Sequence, residues 1–153
     1  MEIKMKEKTK NKMQICFDPV SQNEQLARIA VAAFIAPLNP TLEEMADVKT
    51  AISEAVTNAI IHGYEEKSGM VYIRCKLAGD LLEVEVEDRG QGIEDIEQAM
   101  EPMFTTKPEQ DRSGMGFSFM EAFMDEVDVI SIPGEGTTVC MKKKLGIESW
   151  LDV

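Results

Sequence analysis

Ser53-Glu54-Ala55-Val56-Thr57-Asn58-Ala59-Ile60-Ile61-His62-Gly63 closes a long amphipathic stretch, and its spacing decides how the chain reads. Glu54, Asn58 and His62 fall at i, i+4 and i+8, so a helix lines them up on one face. Val56, Ala59, Ile60 and Gly63 fall on the other side, the side that packs. A carboxylate one turn from a carboxamide, on a rigid element beside a core stripe, suits a functional site. An ordinary solvated helix face fits the same residues, so the rest of the chain has to decide.

Upstream, the helix carrying this row is predicted to begin near Leu42, with Met45, Val48, Ile52, Val56, Ala59 and Ile60 as its apolar stripe. Thr41, three residues before Glu44, supplies its N-cap, and Gly63 is a natural stop. A shorter helix precedes it, with Leu26, Ile29, Ala30, Ala33 and Phe34 at helical spacing up to Pro37 and a capping box at Ser21 and Glu24. Met13–Asp18 alternates as a first strand, and residues 1–12, without an apolar face, read as a flexible tail.

Downstream, Met70–Leu77 and Leu81–Asp88 alternate apolar with polar and join through Ala78-Gly79-Asp80 as a hairpin. Ile96–Met100 reads as a short helical turn, Pro102–Ser113 as a mobile polar loop, and Gly116–Met124 as a helix. Val127–Ile132 and Thr137–Lys143 form a second hairpin around Pro133-Gly134, with Lys142, Lys143 and Lys144 marking an edge or an exit. One domain over 13–146 with a tail at 147–153 follows. Its class is α+β: a two-layer α/β sandwich, with helices on one face of a mixed, mostly antiparallel sheet.

Charge narrows the function. The net charge is −12, and residues 1–12 hold five Lys against two Glu, so +3 sits there and −15 on the remainder. An acidic body repels phosphate backbones, which argues against direct nucleic-acid binding and toward proteins or small molecules as partners. Cys16, Cys75 and Cys140 lie in separate strand-like stretches with no C-x-x-C spacing, and read as buried small hydrophobes of a reducing compartment. One histidine excludes a His-rich metal cage, and no apolar run reaches the ~18 residues of a membrane span. A cytoplasmic protein is predicted.

Three glycine turns collect the chemistry. Asp88-Arg89-Gly90-Gln91-Gly92 leaves a strand, so a carboxylate held at the strand end can accept from an amino group such as adenine N6. Ser113-Gly114-Met115-Gly116 leads into a helix whose N-terminal N–H groups suit a phosphate. It is neither a Walker A loop nor a Rossmann fingerprint. Gly134-Glu135-Gly136-Thr137-Thr138 turns a hairpin with hydroxyls beside it. Each of these, taken alone, also fits an ordinary turn.

Their order is more specific. E-x-x-x-N on a helix, D-x-G-x-G after a strand, a polar loop, G-x-G opening a helix and G-T-T in the last hairpin resemble the successive boxes of the GHKL ATPase superfamily, from about Ser53 to Val139. That superfamily includes gyrase, Hsp90, MutL and histidine kinases, and its Bergerat ATP-binding fold is the expected architecture. His62, the single histidine, lies inside the nucleotide box, so a histidine autokinase has no acceptor here. The chain after Met13 is more similar to the anti-sigma kinases of sporulating bacteria, through Ser53–Tyr64, F-T-T-K-P-E at 104–109, R-S-G-M-G-F at 112–117 and F-M-D-E-V at 123–127.

The resemblance implies roles residue by residue. Asn58 matches the asparagine that holds Mg²⁺ against the nucleotide phosphates, and Asp88 the aspartate that reads adenine, with Gly90 and Gly92 admitting the base. Gly114, Met115 and Gly116 match the phosphate-facing turn, and Thr138 a hydroxyl near the adenine end. Pro102–Ser113 corresponds to the ATP lid, whose Thr105, Thr106 and Lys107 reach toward the phosphates. Glu54 matches the catalytic base, although orienting a water or Mg²⁺ ligand is also open to it. Arg28 matches a partner-contacting residue; a solvated helix arginine fits it equally.

The activity so implied is that of an anti-sigma factor and ATP-dependent protein serine kinase. It sequesters a sporulation sigma factor (sigma F) in the ATP state and phosphorylates a serine of an anti-anti-sigma factor. ATP/ADP and Mg²⁺ are the implied cofactors, and a homodimer the implied assembly. The alternative is an ATP-gated anti-sigma adaptor without kinase turnover; a detached histidine-kinase ATP domain fits the β-α-α start less well.

Overall fold

The computed structural model describes residues 10–63, 69–100 and 116–146. Five strands form one sheet: β1 Lys10–Phe17, β2 Val71–Ala78, β3 Leu81–Asp88, β4 Glu126–Ile132 and β5 Gly136–Lys144. Their spatial order is β1-β2-β3-β5-β4, and all four pairings are antiparallel. Four α-helices accompany them: α1 Asn23–Ile35, α2 Leu42–Asn58, the single turn α3 Ile96–Ala99, and α4 Gly116–Phe123. The two-layer α+β expectation therefore holds, although the described strands pair in antiparallel fashion throughout where a mixed sheet was expected.

Alternation along each strand separates the two faces of the sheet. Val71, Ile73, Cys75 and Leu77 of β2, with Leu82, Val84 and Val86 of β3 and Val139 and Met141 of β5, point into the core. On the opposite face the β3 row is Glu83, Glu85 and Glu87, and β2 answers it with Arg74 and Lys76. Arg74 bridges Glu85 at 2.9 Å and Glu87 at 2.7 Å, and Arg89 bridges Glu87 at 3.0 Å while lying 4.2 Å over the Tyr72 ring. Burial pushes the Glu87 carboxyl up, but the hydrogen bonds from Arg74 and Arg89 outweigh it and leave it below its ordinary value.

Helix α2 packs against both α1 and α4. Its central place explains why its buried face is broader than the predicted stripe: Ala51, Ser53 and Ala55 join Val48, Ile52 and Val56. The capping box forms as expected, Thr41 N–H donating to Glu44 Oε1 at 2.9 Å and Glu44 N–H to Thr41 Oγ1 at 3.0 Å. Glu44 Oε1 also accepts from the Gly146 N–H at 3.1 Å, which ties the end of the sheet to the start of α2.

Several expectations are corrected. Helix α1 buries Ala27, Val31, Phe34 and Ile35, while Leu26 and Ile29 stand 50% and 58% exposed. Apolar residues run almost all round this helix, so their spacing did not single out a face. Its N-cap is Gln22, without a side-chain cap bond, and the Ser21–Glu24 contact is a backbone hydrogen bond of 3.1 Å. Strand β1 starts at Lys10 and takes the last three residues of the stretch read as tail, because Lys10–Lys12 pair with Lys76–Ala78. Strand β5 is interior, so the lysine run marks no edge; Lys143 Nζ instead donates to the Phe123 carbonyl at the end of α4, at 2.8 Å. Of the cysteines only Cys75 is buried; Cys140 is half-buried and Cys16 exposed. Residues 1–9 and 147–153, read as tails, lie outside the described residues.

Candidate nucleotide site

The predicted long helix ends in two parts. It is α-helical through Asn58, and Ala59–Gly63 continue as a π-helical turn. The Ala59 N–H bridges the carbonyls of Ala55 and Val56 where the ladder changes pitch. Such widenings recur at functional sites because they re-aim the residues beside them. The π turn packs against β3 and β5. Glu54 and Asn58, both half-buried, therefore occupy the last turns of α2 on the end of the helix that meets those strands. His62 lies in the π turn.

Asp88 ends β3 by extending the inward row Leu82, Val84, Val86 with a carboxylate. It is only 6% exposed. Its Oδ1 accepts from the Gly90 N–H at 3.0 Å, and the Thr137 backbone N–H also donates to the carboxylate. Burial outweighs those two bonds and pushes the carboxyl up to about 6. A carboxylate with two of its acceptor sites filled by backbone keeps capacity to accept a further hydrogen bond.

The loop after Asp88 is sewn to the β4–β5 turn. Gly134 N–H donates to the Gln91 carbonyl at 2.7 Å, and Ile93 N–H to Ser131 Oγ at 2.7 Å. Gly92, at φ +80°, leaves no room for a side chain: a Cβ there sits 2.4 Å from the Ile132 carbonyl oxygen. The motif reading of Gly92 thus needs an addition, since the missing side chain admits the neighbouring hairpin. At Gly136, φ is +131° and a Cβ falls 2.2 Å from the Asp88 carbonyl oxygen. Gly136→Ala is expected to cost about 3 kcal/mol in urea unfolding, combining strain with a backbone clash. Gly134→Ala, with φ +84° but open space around it, is expected to cost only ~1 kcal/mol. Equal costs would mean that the Asp88–Gly136 contact does not constrain the fold.

Thr138 is also corrected. It pairs with Glu87 and Ile130, so it shares their face, the one turned away from the helices. Thr137 pairs with Asp88, shares its inward face and is 8% exposed. Thr137 and Ser131 are the functional candidates that motif reading missed. The β3–β5 register carries the signal, and counting it requires knowing that those two strands pair. Gly116 begins α4, which packs on α2. Thr105, Thr106, Lys107, Gly114 and Met115, with the expected lid, lie outside the described residues. Arg28 is half-buried on α1, with the exposed Gln25, Leu26 and Ile29 near it in sequence.

A sheet covered on one face by helices, with a buried carboxylate and a threonine at the end of a strand pair, and a helix carrying Glu and Asn whose π-turn extension packs on the same two strands, is the architecture expected of an ATP-binding domain of the histidine kinase-like class. Residues 19–143 match the family model described as histidine kinase-like ATPase domain. The chain is 57% identical over 136 residues to the anti-sigma F factor of Thermoanaerobacter sp. (strain X514), covering 89% of this chain and 95% of that relative. It is 55% identical to the anti-sigma F factor of Anoxybacillus flavithermus over 137 residues, covering 89% of this chain and 94% of that one. The chain therefore belongs to the histidine kinase-like ATPase domain family, among the anti-sigma F factors. Among solved structures, the RsbU and RsbW domains of a Mycobacterium tuberculosis protein superpose with a TM-score of 0.65 at 25% identity, over 88% of this chain and 32% of that one. The catalytic domain of the histidine kinase ThkA gives 0.55 at 16% identity, over 87% of this chain and 96% of that one, a likeness of fold. Among the described residues, no helix is long and apolar enough to cross a membrane.

Proposed function

We propose that this chain is an ATP-dependent protein serine kinase that also acts as an anti-sigma factor. It holds a sporulation sigma factor when ATP is bound and phosphorylates a serine of an anti-anti-sigma protein. The observation that carries the nucleotide half is Asp88: a buried carboxylate with its backbone partners in place, facing inward beside Thr137 at the C-terminal end of β3. Its remaining acceptor capacity suits the adenine amino group. The donor set at the helix end fits the rest, because Mg²⁺ takes oxygen ligands and Asn58 offers an amide oxygen. When bound, ATP would supply the γ-phosphoryl group and leave as ADP, and an Mg²⁺ ion held through Asn58 would offset the phosphate charge. Glu54, one turn before Asn58, takes the proton of the attacking serine hydroxyl.

Arg28 on α1 is assigned to partner contact, and a homodimer is the assembly proposed, with one face of each protomer shared in competition between the two partner proteins. The chain is expected to work in the cytoplasm. The lid residues Thr105, Thr106 and Lys107 and the turn Gly114-Met115-Gly116 are proposed to face the phosphates.

The test is a transfer reaction containing the protein, Mg-ATP and the anti-anti-sigma protein of the same genome. Phosphoserine on that protein is the expected product. ATP binding with no phosphoserine would leave an ATP-gated anti-sigma adaptor, and would end the kinase assignment.

A further inference from the structure

The side chain that organises the adenine end is Ser131 of β4, to which none of the motifs pointed. Its hydroxyl stands at the centre of three contacts. Oγ accepts from the Ile93 N–H at 2.7 Å; the hydroxyl donates to the Gly136 carbonyl oxygen at 3.1 Å; and Oγ lies 2.7 Å from Thr137 Oγ1. A serine hydroxyl has a single proton. Either hydroxyl could supply the proton of the short Ser131–Thr137 contact, but the Gly136 carbonyl can only accept, so both contacts are satisfied together when Ser131 gives its proton to Gly136. The short contact with Thr137 is then made by the threonine's proton, given to Ser131. Thr137 is left with lone pairs for whatever lies on the face that it shares with Asp88.

We infer that Ser131 is a positioning residue that sets base specificity, by holding the Thr137 hydroxyl as an acceptor beside the Asp88 carboxylate. The inference rests on the nucleotide-site reading above. Two acceptors side by side welcome the amino group that adenine presents and oppose the carbonyl oxygen that guanine presents at the same place. The Ile93 and Gly136 bonds do a second job, since they join the loop after Asp88 to the β4–β5 turn and fix the distance between those acceptors. Without the Ser131 hydroxyl, Thr137 is free to turn its own proton toward the ligand, and the site becomes one acceptor plus one donor.

Titration calorimetry of the full chain with Mg-ATP and with Mg-GTP tests this. Wild type is expected to prefer ATP. Ser131→Ala is expected to lower the ATP-to-GTP affinity ratio about tenfold or more, the size of one well-made hydrogen bond. Ser131→Thr keeps the hydroxyl and is expected to hold the ratio within about threefold. In a Thr137→Val background, Ser131→Ala is expected to leave the ratio unchanged, because the group that it orients is gone. Equal weakening of both nucleotides by Ser131→Ala, or effects of Ser131→Ala and Thr137→Val that simply add, overturns the inference while leaving the nucleotide site intact. Wild type that binds neither nucleotide overturns both. If Ser131→Ala does not fold, the ratios of Ser131→Thr and Thr137→Val decide: a Thr137→Val ratio equal to that of wild type overturns the inference.

Discussion

Asp88→Asn is expected to bind Mg-ATP at least about a hundredfold more weakly than wild type, and at the same time to be the more stable protein above pH 6. Both effects come from one buried carboxylate. The asparagine oxygen replaces Oδ1 in the bond from Gly90, which leaves an NH₂ where the second carboxylate oxygen stood. A donor then faces the adenine amino group, itself a donor, at a side-chain position that is only 6% exposed. The stability effect has the opposite sign. Burial raises the Asp88 carboxyl from 3.8 to about 6 in the folded chain. A group raised on folding contributes stability that is complete below its unfolded value and is lost as pH rises through its folded value. Near pH 8 the folded protein therefore holds an ionised carboxylate at a cost of up to about 3 kcal/mol, which the amide avoids. Urea unfolding of the two proteins between pH 4 and 8 should show the variant ahead at high pH, with the gap closing toward pH 4. A gap that stays constant across that range would mean the Asp88 carboxyl is not raised. Wild-type ATP affinity should also fall below pH 6, because a protonated Asp88 turns one oxygen into a donor.

That conflict between stability and binding bears on what could be read from the residues alone. Signals local in the chain were legible. The Thr41–Glu44 box, the β2–β3 hairpin and the alternation of its strands each depend on neighbours within a few positions and appear in the structure, with the Ala78-Gly79-Asp80 connection shortened to Gly79-Asp80 because Ala78 pairs with Leu81. Asp88 was legible too, because a carboxylate that extends the apolar row Leu82-Val84-Val86 breaks the pattern at a strand end. Facts set by distant partners were not. The buried side of α1 depends on α2, against which it packs, and the helix offers apolar residues in most directions. Choosing Thr137 over Thr138 depends on the β3–β5 register, between strands separated by two helices and another strand. The role of Gly92 depends on the Ile132 carbonyl, forty residues away. Motif spacing records that a glycine or a threonine is needed, and three-dimensional pairing decides what it is needed for.

Glu54→Gln is expected to keep ATP binding within about threefold of wild type and to slow phosphoryl transfer by ~10²–10⁴-fold. The substitution preserves size and helix propensity on α2, whose start is held by the Thr41–Glu44 box and whose flanks pack on α1 and α4, so the fold should be unaffected. What it removes is the capacity to accept a proton from the incoming serine. Asn58→Ala separates this role from the metal's: with the amide oxygen gone, ATP binding should weaken together with transfer, and added Mg²⁺ should recover part of both. Added Mg²⁺ should recover nothing in Glu54→Gln. A glutamate that only orients an Mg²⁺ ligand predicts the opposite, a loss of affinity that excess metal repairs. Single-turnover transfer and equilibrium ATP binding, each measured across a range of Mg²⁺ concentrations, distinguish the two. If Glu54→Gln transfers phosphate as fast as wild type, the base lies elsewhere. The row at the end of α2 would then serve the metal alone, through Asn58.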